Sequence, residues 1–421
     1  MPRSRHAMKN HKSGCRHLSA AVGDTPMTIL HRVGRKALLP VAAALLGMAA
    51  LPAQSFAAAP ILIGATSSDT GPLSADATEN LMGMKLGIKE ANDAGGWLGR
   101  QLNLKVYDDE SKAGTAVRLY TRLITEDKAD LLIGPYSSGI SNAVTPLFNK
   151  YKYAVIEPEA SDPSIFGSRN QWGIQGLASS QGYLQQLLPL AKEHGAKTVA
   201  VMGLQSAFSL ACYNARVEQA QKLGMTVVYK ATYSMASADF NGMALAAKNA
   251  KPDVVITCTY YPDSVGIVKA LHAQGFAPKF LGSTIGPVSA SFTKDVGPLA
   301  NRIFSNTSWW PTYKTPGNKE FIAAYEKMFN AKPTYHSAAG YSAVYLLGKA
   351  VAATKSLDQT KLRDWMLTHS IDTIQGPSKV DKNGRELGLL MEMVQVQNGQ
   401  LKLITPSESA EAKPEIPYTG Q

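Results

Sequence analysis

From Ile61 to Gly282, short apolar runs that read as β-strands take turns with longer stretches whose apolar residues recur at helical spacing. Ile61 to Gly64 is an apolar strand, and Leu81, Met84, Ile88 and Ala91 share one helical face. Leu102 to Tyr107 alternates as a strand, and Val117, Tyr120 and Ile124 mark a second helix. Strands at Asp130 to Ile133 and Tyr153 to Ile156 flank a helix-like stretch from Ser141 to Asn149. The pattern restarts after Gly176, with strands at Val199 to Met202, Thr226 to Tyr229, Val254 to Thr257 and Phe280 to Gly282. Helices fall between them near Ser209 to Leu223, Asn241 to Asn249 and Ser264 to Gln274. Parallel strands need crossovers and helices supply them, so the expected class is α/β, with two Rossmann-like units in tandem and parallel sheets covered on both faces. The helix that opens the second unit carries Leu184, Leu187, Leu188 and Ala191 on one face, and Pro189 either kinks it or marks its start.

The last quarter differs. Phe321, Ile322, Tyr325 and Met328 define a helix, Ser337 to Thr354 a longer one, and Leu362 to Leu367 a third. Leu389 to Val396 and Leu401 to Ile404 flank Asn398-Gly399, a two-residue hairpin signal. From Pro406 onward Pro, Glu, Ser and Ala dominate, and a loosely ordered tail over 406–421 is expected.

The N-terminus carries an address. Met27 to Ala57 reads as a secretory signal, with Arg32, Arg35 and Lys36 as its basic region, Ala37 to Leu51 as its apolar region and cleavage expected after Ala57. The apolar run is shorter than the roughly 20 residues that span a bilayer, which argues against an anchor. Met1 to Pro26 is basic and without apolar period, and residues 1–57 are set outside the fold. Eight of the 43 basic and one of the 32 acidic residues lie in that leader, so the remaining chain of roughly 360 residues has a net charge of about +4. No basic run with interleaved aromatics remains, and nucleic acid is not an expected partner. The length exceeds what one core usually supports and implies two lobes. Cys212 and Cys258 can pair in an oxidising compartment, but pairing requires Cα atoms within ~7 Å, which spacing alone leaves open.

Two loops at strand ends stand out: Gly134-Pro135-Tyr136-Ser137-Ser138-Gly139 and Glu157-Pro158-Glu159-Ala160-Ser161-Asp162-Pro163. Neighbouring loops at the carboxyl ends of parallel strands, offering hydroxyls and free backbone N–H groups, suit a small anion such as a carboxylate. Catalytic signatures are missing: there is no Gly-x-Ser-x-Gly elbow, phosphate-binding Gly-x-x-x-x-Gly-Lys-Ser/Thr loop or His-Glu-x-x-His helix. His194, His272, His336 and His369 are scattered without metal-ligand spacing, and Asp108-Asp109-Glu110 reads as a solvated strand end. The expectation is a protein that holds something and does not cut it, with no metal, no cofactor and no enzymatic activity.

The order and spacing of several stretches resemble the type I periplasmic solute-binding proteins of the Leu/Ile/Val-binding family, receptors of ABC importers. These are Thr70-Gly71-Pro72-Leu73, Asn92-Asp93-Ala94-Gly95-Gly96, Tyr107-Asp108-Asp109, the Gly134 loop, and Gly176-Leu177-Ala178-Ser179-Ser180-Gln181-Gly182; the likeness runs from Pro60 to about Ile404. It implies two lobes, 58–178 with 307–377 and 179–306 with 378–405, joined by crossovers near Leu177 to Ser180, Asn306 to Ser308 and Gly376 to Lys379, with the ligand in the cleft between them. It further implies a monomeric periplasmic receptor that closes on a small carboxylate solute and presents it to a membrane permease. Residue by residue, the carboxylate falls to Ser138, Ala160 and Ser161, next to Ser137, and covering rings to Phe208 and to Tyr260 or Tyr261. Tyr136 and Trp309 are cleft candidates by loop position. Where amino-acid-binding members carry an acid for the ammonium group, this chain has Thr284, so either Asp76 or Asp263 substitutes or the ligand lacks an α-amino group. Hydrophobic amino acids lead by family frequency, aromatic acids, keto acids and amides are the alternatives, and a sensory receptor is the other role such a fold serves.

Overall fold

A computed structural model of the chain describes residues 58–420. The N-terminal extension, the secretory signal and its cleavage site lie outside the described residues. The elements of the first half are β1 (Ile61–Ser67), α1 (Ser74–Asp93), β2 (Leu102–Asp108), α2 (Ala113–Thr125), β3 (Leu131–Ile133), α3 (Ser138–Tyr151), β4 (Val155–Glu157), β5 (Gly173–Gln175) and α4 (Leu187–Glu193). Then come β6 (Thr198–Leu204), α5 (Ala207–Lys222), β7 (Thr226–Tyr233), α6 (Phe240–Ala250), β8 (Val254–Cys258), α7 (Tyr261–Ala273), β9 (Phe280–Ser283), α8 (Phe292–Val296) and β10 (Phe304–Thr307). The chain ends with α9 (Asn318–Phe329), α10 (Tyr335–Thr354), α11 (Gln359–Thr368), the short pair β11 (Ile371–Thr373) and β12 (Gly376–Ser378), and the hairpin β13 (Glu392–Gln397) and β14 (Gln400–Leu403).

Two sheets organise two lobes. The first has the order β2-β1-β3-β4-β5 and is parallel throughout. The second, β14-β13-β10-β9-β8-β6-β7, is parallel from β7 to β10 and ends in two antiparallel pairings. Its antiparallel edge is the hairpin read from Asn398-Gly399, whose residues take φ of 51° and 73° as a tight two-residue turn demands. Strand interiors such as Ile61, Ile63, Leu131 to Ile133 and Val254 to Ile256 are fully buried, the mark of parallel strands covered on both faces. The chain passes from the first sheet to the second after β5, back after β10 to lay α9 and α10 against α1, and over again to reach β13.

Helices α1 and α10 touch backbone to backbone, because a Cβ on Gly83 would strike the Ser337 carbonyl and one on Gly340 the Asn80 carbonyl. Pro189 sits in the first turn of α4 and marks its start. Two expectations are corrected. Asp109 is fully buried and accepts hydrogen bonds from the hydroxyls of Thr66 (2.7 Å) and Ser68 (2.6 Å), so only the neighbouring Asp108 and Glu110 face solvent at that strand end. The stretch from Pro406 is pinned, not loose: Gln395 exchanges two 2.8 Å bonds with the Glu415 backbone, and the buried Tyr418 donates its N–H to the Lys279 carbonyl (3.1 Å). Its ring joins the core of the second lobe, which a composition count cannot foresee.

Candidate functional site

Loops at the carboxyl ends of the parallel strands of both sheets converge between the lobes, where crevices form in open α/β sheets. Gly134 ends β3 because any side chain there would collide with Glu157. Helix α3 begins at Ser138, a turn earlier than its apolar spacing suggests, and this puts the Ser138 hydroxyl at the helix N-terminus. That oxygen accepts hydrogen bonds from the backbone N–H of Ser161 (3.0 Å) and of Asp162 (3.2 Å), and lies 3.5 Å from the Ser161 hydroxyl. A hydroxyl has two lone pairs and one proton; with both pairs occupied, Ser138 can only donate, either over the long 3.5 Å contact to Ser161 or to a better acceptor brought alongside. Ser138, Ala160 and Ser161 are all buried, and the two loops are stitched together.

The second lobe brings rings. Phe208 lies in the first turn of α5 and Tyr260 caps α7. Their centroids are 5.2 Å apart, Tyr183 lies 5.0 Å from Phe208 on one side, and Tyr136 of the first lobe lies 6.4 Å from Tyr260 on the other. The series continues from Tyr136 to His336 (5.6 Å) and from His336 to Tyr335 (4.0 Å). The hydroxyls of Tyr260 and Tyr335 are buried and make no hydrogen bond within 3.5 Å, Tyr260 facing Ser137 and Ser206 and Tyr335 facing Tyr183. The disulfide Cys212–Cys258, with Cα atoms 6.0 Å apart, joins α5, which carries Phe208, to the end of β8, two residues before Tyr260.

An acidic cluster lies against these rings. The close approach of α1 and α10 sets Asp76, Glu79 and Asn80 beside His336 and Thr334. The His336 Nδ1 lies 3.0 Å from Glu159 Oε1, and its Nε2 lies 3.8 Å from Asp76 Oδ1 with no hydrogen-bond partner. Asn80 donates to Glu159 (3.1 Å) and Thr334 to Glu79 (2.5 Å). Across the cleft, the Ser289 hydroxyl of the second lobe donates to Asp76. Burial lifts the carboxyls of Asp76 and Glu159 above their ordinary range, partly offset by His336, and lifts Glu79 to about 7. Burial also disfavours the imidazolium of His336, but Glu159 and Asp76 outweigh it and raise the ring to about 9.

Other candidates fall elsewhere. Thr284 is spent on structure, since its hydroxyl donates to the Thr259 carbonyl (2.6 Å) and accepts from the Thr259 N–H (2.8 Å), tying β9 to β8. Of the tyrosine pair, Tyr260 joins the rings, whereas Tyr261 gives its hydroxyl to Asp295. Trp309 donates to Asn318 (2.6 Å), packs on Phe321, and borders a hollow of about 530 Å³ at the rim of the cleft. Ser137 is buried with its hydroxyl facing that of Tyr260. Asp263 is buried in the first turn of α7 and accepts from Tyr233 (2.5 Å), so Asp76 is the acid at the lobe interface. Sequence reasoning missed Tyr183, Tyr335, His336, Glu159 and Ser289. Glu159 was in view only as part of a loop, and its histidine lies 177 positions away with no motif to join them.

The family described as periplasmic binding protein matches residues 60–400. Among relatives, the Leu/Ile/Val-binding protein homolog 7 of Brucella suis is 24% identical over 380 residues, covering 86% of this chain and 95% of its own. Among solved structures, the branched-chain amino acid transporter substrate binding protein LivJ from Streptococcus pneumoniae, in complex with isoleucine, superposes with a TM-score of 0.74 at 21% identity over 85% of this chain and all of its own. A solute binding protein of an ABC transporter from R. palustris, in complex with 4-hydroxybenzoate, also reaches 0.74, at 23% identity over 82% of this chain and 96% of its own. With its two α/β lobes and the cleft between them, this chain belongs to the periplasmic binding protein family.

Proposed function

We propose that the chain is the extracytoplasmic solute receptor of an ABC importer, which takes a small carboxylate-bearing solute into the interlobe cleft and closes on it for delivery to a membrane permease. In this reading the signal ending at Ala57 exports it to the periplasm, where it works as a monomer and catalyses nothing. The lobes are 58–178 with 307–377 and 179–306 with 378–405. The observation that carries the reading is the stitched pair of loops at Ser138 and Ser161, with a hydroxyl proton left to donate. Donors to a carboxylate form charge-assisted bonds, stronger than neutral ones. Phe208 and Tyr260 cover the solute from the second lobe, and closure is favoured only by the contacts the solute makes to both lobes at once. A hydrophobic amino acid is the leading class. The continuous ring wall supports an aromatic acid as the second reading.

The test is a thermal-shift screen of the processed protein against L-leucine, L-isoleucine, L-phenylalanine, 4-hydroxybenzoate and 4-methyl-2-oxopentanoate. A carboxylate at 100 times its Kd adds about 2.7 kcal/mol of apparent stability. The reading fails if no carboxylate raises the melting temperature, or if replacing Ser138 and Ser161 together by Ala leaves the affinity of the one that binds unchanged.

A further inference from the structure

Away from the rings and the acidic cluster, one buried charge has no counter-charge. Among the described residues no lysine is buried, and the one buried arginine is Arg216, two turns along α5 from Phe208. A guanidinium carries five N–H donors and no acceptor. Here Nη2 donates to the Gln181 carbonyl (2.7 Å), while Nε and Nη1 are buried without a hydrogen-bond partner. Burial pulls the group down to about 10, which leaves it a cation at neutral pH. Two acids line the hollow beside it, and both are engaged elsewhere. Asp162 accepts from the N–H and the hydroxyl of Ser164 (2.9 Å each), and the exposed Glu218 pairs with Lys222 (2.6 Å). A buried cation without a partner is costly, and an anion brought from outside relieves the cost.

The hollow has a volume of about 590 Å³. It is walled by α5, by Gln181 and Gln185 on the segment that leads from the first sheet to the second, and by the turn at Asp162; none of Ser138, Ser161, Phe208 or Tyr260 lines it. Nη2 has two protons, one toward each edge of the guanidinium. Whichever edge the Gln181 carbonyl takes, the other keeps two parallel N–H groups, the geometry that grips two oxygens of one anion. Gln219 lines the same hollow, three residues after Arg216 and so on the same face of α5. Its Nε2 donates to the Gln185 carbonyl (2.8 Å), which can only accept, so the amide is fixed with Oε1 as an acceptor, and that oxygen is buried with no partner. We propose that this hollow is a second binding site, separate from the solute cleft, for a small oxyanion that also carries a hydroxyl, such as hydrogen phosphate or a hydroxycarboxylate. Two of its oxygens sit on the free edge of Arg216, and its O–H donates to Gln219 Oε1. The proposal does not depend on what the cleft binds.

Calorimetric titration of the processed protein in chloride at constant ionic strength tests it, with inorganic phosphate, citrate and acetate as probes. Phosphate or citrate is expected to bind saturably, and acetate, which offers two oxygens and no hydroxyl, more weakly. Binding of phosphate alone assigns the site to phosphate chemistry, and binding of citrate alone assigns it to hydroxycarboxylates. Arg216→Met should weaken the preferred anion about tenfold or more, the size of effect that hydrogen bonds to a charged group give. Gln219→Met leaves the guanidinium in place and should bring the preferred anion down toward the affinity of acetate. The proposal is overturned if neither phosphate nor citrate binds, if acetate binds as tightly as the better of them, or if that anion binds either variant as tightly as it binds the wild type. Should Arg216→Met fail to fold, Gln219→Met decides alone: unchanged affinity there overturns the site, and a loss supports it.

Discussion

The two walls of the cleft are built on different physics. On the first lobe the wall is polar and tied in advance: Ser138 bonds two backbone N–H groups of the facing loop, and Glu159, Asn80 and His336 hold one another. On the second lobe the wall is aromatic, and a disulfide ties α5, which carries Phe208, to the strand that precedes Tyr260. A wall of directional bonds can be complete in advance, because its donors and acceptors already satisfy one another. A wall of ring faces has little direction and gains only when area is covered.

The contrast can be broken most sharply at the disulfide. Replacing Cys212 and Cys258 by Ala opens a loop of 46 residues, a constraint expected to stabilise by about 4 kcal/mol in the chain-entropy account. Chemical denaturation should show that loss, and retained affinity at full strength in the variant would mean that the rings need no tether. A second effect, on the order of 3 kcal/mol, comes from Glu157 beneath the Ser138 and Ser161 loops. Burial raises its carboxyl to about 7 from an ordinary 4.5, so the folded form holds the proton more tightly than the unfolded one. Its contribution is complete below pH 4.5 and is lost as pH rises through about 7. Glu157→Gln should flatten the decline of stability across that window; an unchanged slope would place the titration elsewhere.

The smallest effect divides the two serines. Ser138→Ala leaves two buried N–H groups without their acceptor and should cost about 1–3 kcal/mol of folding stability as well as affinity. Ser161→Ala removes a hydroxyl with no bond closer than 3.5 Å and should cost less than about 1 kcal/mol in stability while still weakening the solute's carboxylate end. Equal stability losses in the two single variants would show that the loops are not held by Ser138.

Much of the framework was legible because short-range rules write it. Strands β1, β6 and β8 are unbroken apolar runs, and Asn398-Gly399 specified a turn that few other residues tolerate. The start of α3 was misplaced because Ser138, Gly139 and Ser141 carry no apolar period, and β5, β10 and the β11–β12 pair are too short to show one. Ser138, Ser161 and Phe208 were reached through the resemblance, whereas the structure engages the hydroxyl of Thr284 and the indole of Trp309 in hydrogen bonds within the fold. His336 looked like a stray histidine, and nothing local distinguishes it from His194 or His369.

What this chain determined by itself is the alternation that makes two covered sheets, the loops that end their strands, and the turns between them, since each depends on residues within a few positions of one another. What only tertiary structure decided is which side chains meet in the cleft. Asp76, Glu159 and His336 converge because glycines let α1 and α10 touch, and Phe208 and Tyr260 converge because a disulfide holds α5 to β8. Such meetings depend on packing between segments far apart along the chain, and no spacing rule records them.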